Sequence, residues 1–222
     1  LMKNENLKRI LSSLLIIPIV FFFIFKGSTF FMFFLGIFFL LTSYEWIKMS
    51  KNELIKFLGI AYLLFVSYSA YMFRGDYLHN FYQFSFVIII CILTDIGGYV
   101  FGKLFKGPKL TKISPNKTYS GMIGSFFLAI ISVYLLKINL FRFILSDSVF
   151  HLNSINDFNL LLLVLFISSV SQAGDLIISY FKRLSKIKNT GNLIPGHGGL
   201  LDRVDGIIFA IPASYILFKA LS

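Results

Sequence analysis

The stretch NLLLLVLFISSVSQAGDLIISYF, residues 159–181, decides the architecture. As a helix rising about 1.5 Å per residue, it is long enough to cross the roughly 30 Å hydrocarbon core of a bilayer. Its single charged side chain is Asp175, and it runs directly into Lys182 and Arg183. An apolar run bounded by cations, with one carboxylate inside it, reads as a membrane span carrying a functional group.

Six further segments have the same character: about 10–25, 28–47, 54–73, 82–102, 118–136 and 203–220. The whole chain of 222 residues is 57% hydrophobic and 14% charged, with a mean hydropathy of +0.80. A soluble domain carries about 25% charged residues, so too little polar surface exists here to coat a water-soluble globule. The expected fold is therefore all-α, a polytopic transmembrane helix bundle of about seven spanning helices. The sequence has no internal repeat and no separate soluble domain. The first run follows Lys8 and Arg9 like a leader, but no small-x-small site follows it, so a retained helix is expected. The lone cysteine, Cys91, sits in an apolar run and reads as a packing residue, with no intrachain disulfide to form.

The cations alternate. Lys3, Lys8 and Arg9 precede the first span, and Lys48, Lys51 and Lys56 lie around the second connection. Lys103, Lys106, Lys109, Lys112 and Lys117 fill the fourth, and Lys182, Arg183, Lys186 and Lys188 the sixth. The intervening connections are poorer: Lys26, then Arg74 with Asp76, then Lys137 and Arg142 with Asp147 and Asp157. By the positive-inside rule the N-terminus and both richly basic loops, 103–117 and 182–201, face the cytoplasm, and the C-terminus lies outside. The net charge of +11 fits nucleic acid or anionic lipid, or a Lys-rich genome. Its placement in the loops favours the lipid bilayer, with no nucleic acid partner.

Most acidic residues, Glu5, Glu53, Asp76, Asp147 and Asp157, read as solvated loop or helix-end groups, and Glu45 as a pair for Lys48 or Lys51. Asp95 and Asp175 differ, because each is set in an apolar helix roughly 10–12 Å below the basic end, by the rise per residue. Asp202 and Asp205 open the last span from that same side, and their spacing puts both on one face. Four carboxylates at one depth cannot all stay ionised in a low dielectric without cations. Structural ion pairs with Lys182, Arg183 or Arg203 are one resolution. A metal site is the other, and oxygen-only ligands favour Mg²⁺, alone or with a second cation.

The loop after residue 181 is richest in chemistry. It reads Lys182-Arg183, Lys186, Lys188, Gly191, Pro195-Gly196-His197-Gly198-Gly199 and Asp202-Arg203-Val204-Asp205. Gly198 and Gly199 lead into a helix and are expected to offer backbone N–H groups to an anion. Cations upstream and carboxylates downstream complete a site suited to a polyphosphate.

This run resembles the signature of the phosphatidate cytidylyltransferase family, through Ser179, Lys182, Arg183, Lys188, Gly191, Pro195, His197, Gly198, Gly199, Asp202, Arg203 and Asp205, with Gly174-Asp175 before them. A second stretch is similar to the family's other cytoplasmic loop: Asp95, Tyr99, Gly102, Lys103, Lys109, Leu110, Ser114-Pro115-Asn116-Lys117-Thr118 and Gly121. The likeness covers most of the chain from Asp95 onward. Three positions depart from it: Asn189 and Ile178 stand where the family usually has acidic residues, and Ser120 where it often has Glu. The chain is also shorter than most members.

The resemblance implies the reaction of CTP with phosphatidic acid to give CDP-diacylglycerol and pyrophosphate, in the cytoplasmic (inner) membrane. The metal ligands would be Asp175 and Asp202, with Asp205 assisting and Asp95 beside them. Lys182, Arg183, Lys188, Arg203 and Lys117 would hold phosphates. His197 would donate to a phosphate oxygen, Ser179 would orient a ligand, and Asn189 could bond a ribose or base. Residues 1–80 would form N-terminal spans and 81–222 the catalytic region. A homodimer is compatible with a membrane enzyme of this size. Rival readings are a transporter using the intramembrane carboxylates, a CTP-dependent lipid kinase of the polyprenol kinase kind, and an inactive scaffold. The CDP-alcohol phosphotransferases are set aside because Asp205-Gly206 is not followed by their Ala-Arg element.

Overall fold

Long apolar runs broken by Gly, Pro and basic residues become helices joined by short turns, and the computed structural model of the chain follows that rule. It describes residues 14, 16, 18–75, 77–111, 113–137, 156–194, 196 and 198–221. Residues 18–26 are helical. After them come α1 (Ser28–Met49), α2 (Glu53–Arg74), α3 (Leu78–Phe105), α4 (Tyr119–Lys137), α5 (Asp157–Leu184), the short α6 (Leu201–Val204) and α7 (Ile207–Leu221). Among the described residues the only β pairing is two isolated bridges, Lys109 with Thr118 and Ile194 with Gly198.

Helices occupy the expected segments with boundaries shifted by a few residues, except that residues 10–13, 15 and 17 of the first lie outside those described. The last differs in kind. In place of one helix over 203–220, a turn at Asp205 and Gly206 separates α6 from α7. A side chain at Gly206 would meet the Ser171 hydroxyl at 2.4 Å, so the turn sits hard against α5. Among the described residues four helices are long and apolar enough to cross a membrane: α1, α2, α3 from Asn80, and α5. The apolar parts of α4 and α7 are shorter. Phe21, Phe33, Leu40, Phe57, Leu64 and Leu104 are exposed on the outside of the bundle, which suits hydrocarbon and not water.

Local chemistry sets the helix ends. The Asn52 side chain accepts the Leu54 N–H at 2.8 Å and caps α2. Gly75, at φ +47°, ends α2 in a conformation that favours glycine. Asp157 opens α5 while Lys182 and Arg183 close it, each charge matching the helix dipole. Pro212 inside α7 leaves the Ile208 carbonyl without its usual helix donor. The Tyr62 hydroxyl of α2 donates to that carbonyl at 3.1 Å and ties the two helices together.

The helices pack up and down. α3 and α4 lie closest, because a Cβ on Gly97 would sit 2.5 Å from the Gly124 carbonyl and one on Gly121 2.7 Å from that of Gly98. Hydroxyls join α3 to both neighbours: Ser125 Oγ of α4 donates to the Thr94 carbonyl at 2.7 Å, and Thr94 Oγ1 donates to Ser168 Oγ of α5 at 2.9 Å. The main core contains Val87, Ile90, Cys91, Ala129, Val164, Ile167 and Ala210. A second cluster, Trp46, Met49, Leu63, Val66, Ile178, Leu201 and Ile208, lies under the loop that precedes α6. Ile178, one of the departures from the family pattern, is thus a core residue. Alternation of helix direction brings the basic connections 50–52, 106–118 and 185–200 to one end.

At the other end Arg74 is buried. Its Nε donates to the Ile24 carbonyl at 2.8 Å, one terminal nitrogen to that of Gly75 at 2.7 Å, and the other to that of Phe25 at 3.2 Å. The guanidinium also lies 4.8 Å from the centre of the Phe81 ring. It clamps the end of the 18–26 helix to the end of α2.

Candidate active site

Three elements bring acidic residues to the basic end: α3 carries Asp95, α5 carries Asp175, and α6 with its following turn carries Asp202 and Asp205. All four line one cleft of about 370 Å³. Lys117, Ser114, Asn116 and Thr118 from the 106–118 loop form another wall, and Thr94, Ser125 and Gln172 add polar groups deeper in the bundle. The convergence expected from helix depth is therefore present.

The charges are arranged in pairs. Lys117 Nζ contacts Asp175 Oδ2, and Ser179 Oγ, one turn further along α5, donates to Asp175 Oδ1 at 3.3 Å. Lys182 Nζ meets Asp202 Oδ1 at 2.9 Å. Asp202 Oδ2 accepts the Thr190 N–H at 2.8 Å and the Gly199 N–H at 3.1 Å. Asp202 is thus committed to its loop and to Lys182. Asp205 lies outside the long helices, with its carboxyl in hydrogen-bonding reach of Asp175. Among the described residues no three acidic, His or Cys side chains form a ready-made metal-binding group. Lysines hold the pairing positions.

Arg183 is exposed, and its Nε donates to the Ile113 carbonyl at 3.2 Å, linking the end of α5 to the 106–118 loop. Lys188, Asn189 and Arg203 are exposed. His197, predicted as a phosphate donor, lies outside the described residues, as do Pro195 and Lys112.

Two contacts differ from those expected. The Gly199 N–H is accepted by Asp202. The next two N–H groups are also taken: Leu200 donates to Glu45 Oε1 and Leu201 to Glu45 Oε2, each at 2.8 Å. Glu45 is the second correction. It does not pair with Lys48 or Lys51 but is 1% exposed, and it accepts a third bond from Thr190 Oγ1 at 2.9 Å. Nothing local announces this role, since its partners lie 145 to 156 residues away in sequence. The helix that follows, α6, has only four residues. The loop glycines answer to Glu45. A Cβ on Gly191 would come within 2.8 Å of Oε1, and one on Gly199 within 2.6 Å of Oε2 and 2.1 Å of Thr190 Oγ1.

A helical membrane-type bundle with a carboxylate and lysine cleft at its basic end defines the class: a multi-pass membrane protein with a charged cleft. A sequence model of the Cytidylyltransferase family matches residues 54–221. The chain belongs to that family. It is 35% identical over 168 residues to the phosphatidate cytidylyltransferase of Staphylococcus haemolyticus (strain JCSC1435), covering 73% of this chain and 56% of the relative. It is 37% identical to those of Staphylococcus aureus (strain COL), over 168 residues, and Brucella suis biovar 1 (strain 1330), over 164, with the same coverage. The chain spans about half the length of the curated relatives it matches.

Proposed function

We propose that the chain carries the catalytic apparatus of a phosphatidate cytidylyltransferase, which joins the CMP part of CTP to the phosphate of phosphatidic acid. The observation that supports this most is the meeting of Asp95, Asp175, Asp202 and Asp205 with Lys117 in one cleft of the family-matched region. The basic end would face the cytoplasm, where CTP is found, in a chain of about seven spans with a cytoplasmic N-terminus in the inner membrane. Residues 81–222 would form the catalytic region.

The chemistry asks little of a general base. A phosphate monoester has a second pKa near 6, so the lipid phosphate is already largely dianionic near neutral pH. One of its oxygens attacks the α-phosphorus of CTP, the bond from that phosphorus to the bridging β-oxygen breaks, and pyrophosphate leaves with the electron pair. The barrier lies in bringing two polyanions together in line, which fixed cations lower. Lys117 and Lys182 stand at the cleft and would turn from their aspartates toward phosphate oxygens. Arg183, Lys188 and Arg203 would guide the triphosphate at the mouth, and Ser179 would hold the Asp175 carboxylate in place.

The donor set also fits a hard cation. The Asp175 and Asp205 carboxyls lie within hydrogen-bonding reach of each other in the cleft, and Mg²⁺ prefers such oxygens. Asp175 and Asp205 would hold it, with Asp95 nearby, while Asp202 keeps its loop contacts. When bound, Mg²⁺ would neutralise phosphate charge and polarise the phosphoryl oxygens. The test is incubation of the detergent-purified chain with phosphatidic acid, CTP and Mg²⁺, with an EDTA control, followed by mass analysis of the lipid. CDP-diacylglycerol that disappears with EDTA is expected; a folded sample that forms none contradicts the proposal.

A further inference from the structure

Glu45 lies upstream of residues 54–221, the span that matches the family. It sits on α1 and does not line the cleft. Yet its carboxylate takes the N–H groups of Leu200 and Leu201, the two residues directly before Asp202, and the hydroxyl of Thr190. Thr190 is held twice, since its own N–H goes to Asp202. The amides of Gly199, Leu200 and Leu201 are thus shared between one carboxylate inside the site and one behind it. We propose that Glu45 is a positioning residue, whose buried carboxylate fixes the 189–201 loop and the start of α6 and so sets Asp202, Lys182 and Asp205 for the nucleotide.

An ionised carboxylate only accepts hydrogen bonds, and a buried one must be met by donors. Three donors meet this one. The match is specific in shape as well as charge, because Gly191 and Gly199 leave room for the Glu45 side chain and for nothing larger on their own Cα atoms. Replacing one carboxylate oxygen by an NH₂ group places a donor against donors. The loop amides then lose an acceptor in a buried setting, and the segment carrying Asp202 shifts or loosens. Arg74 is a natural control. It is also buried and also bound to backbone, but at the far end of α2, away from the cleft.

The inference rests on the function proposed above, so its test needs a readout that survives the failure of that function. Full-length wild type, Glu45→Gln, Gly191→Ala and Arg74→Gln are purified in detergent. Hydrogen exchange is followed over residues 189–206, and half-saturating CTP and Mg²⁺ are measured in the transfer assay. Glu45→Gln is expected to speed exchange in 189–206 by about tenfold or more, as buried amides lose their acceptor, with α3 and α5 unchanged. Half-saturation for CTP with Mg²⁺ should rise by about tenfold, a typical cost of one lost charged hydrogen bond. Gly191→Ala, which crowds Glu45 without removing it, should move both readouts the same way. Arg74→Gln should lower the melting temperature and leave CTP half-saturation as in wild type. The proposal is overturned if Glu45→Gln and Gly191→Ala exchange like wild type over 189–206. It is equally overturned if they lose only global stability, as Arg74→Gln does. If Glu45→Gln fails to fold, Gly191→Ala alone decides on the same criteria. Absence of turnover in wild type would sink the cytidylyltransferase reading while the exchange comparison still decides the role of Glu45.

Discussion

Arg74 and Glu45 are buried charged side chains at opposite ends of the bundle, both bound to backbone groups, and their neighbours separate them. Arg74 donates to carbonyls at the ends of two apolar helices, with an aromatic ring beside it. Glu45 accepts from amides that lead straight into Asp202. The same physics, a charge satisfied by helix ends, holds the scaffold together at one end and, on the proposal made above, arranges the cleft at the other. Substitutions should therefore separate stability from activity according to which end they touch.

The largest effect is expected at the cleft. Asp175→Asn keeps the shape of the side chain but removes the charge facing Lys117, Ser179 and Asp205, and should cost roughly 100- to 1,000-fold or more in transfer rate, the scale of losing a preorganised electrostatic group. The check is the rate at saturating CTP together with an unchanged melting temperature; a rate within a few-fold of wild type would break the comparison. Next comes Lys182→Met, which strands a mostly buried Asp202 and should cost about 3 kcal/mol of stability as well as activity. The double variant with Asp202→Asn should recover much of the melting temperature and none of the turnover. That split would show that stability and chemistry share the pair without being the same thing.

Effects at the far end should be confined to stability. Arg74→Gln should lose about 2 kcal/mol, the scale of a charged hydrogen bond, read as a lower melting temperature in detergent with CTP half-saturation unchanged. A change in that constant would mean that the two ends communicate. The smallest effect is expected for Tyr62→Phe, which leaves the Ile208 carbonyl freed by Pro212 without its donor, at about 1 kcal/mol. Because α7 follows Asp205 directly, any accompanying loss of activity would place that brace among the site's supports.

Hydropathy made the helices legible. A chain that must bury its backbone polar groups in lipid has to spell each helix as an apolar run, and Ser28–Met49, Glu53–Arg74 and Asp157–Leu184 lie close to where those runs put them. The intramembrane carboxylates were legible for the same reason, since Asp95 and Asp175 stand out against Ile and Leu. Glu45 was not. It sits three residues before Lys48 and six before Lys51, and local sequence offers those lysines as partners. Only the packing of α1 against the loop before α6, which no pattern of spacing encodes, brings it to Leu200 and Leu201. The glycines misled for a related reason. Gly199 reads as an opening for phosphate when the sequence is taken alone, yet its N–H goes to Asp202, and the next two amides go to a carboxylate from the other end of the chain.

The most direct test of the account follows two labels. CTP labelled at the α-phosphate, and separately at the γ-phosphate, is incubated with the purified chain, phosphatidic acid and Mg²⁺. Attack at the α-phosphorus predicts α-label in the lipid, γ-label in pyrophosphate, and neither transfer with Asp175→Asn or EDTA. Label from the γ-phosphate in the lipid, or α-label transferred as well by Asp175→Asn as by wild type, would contradict it.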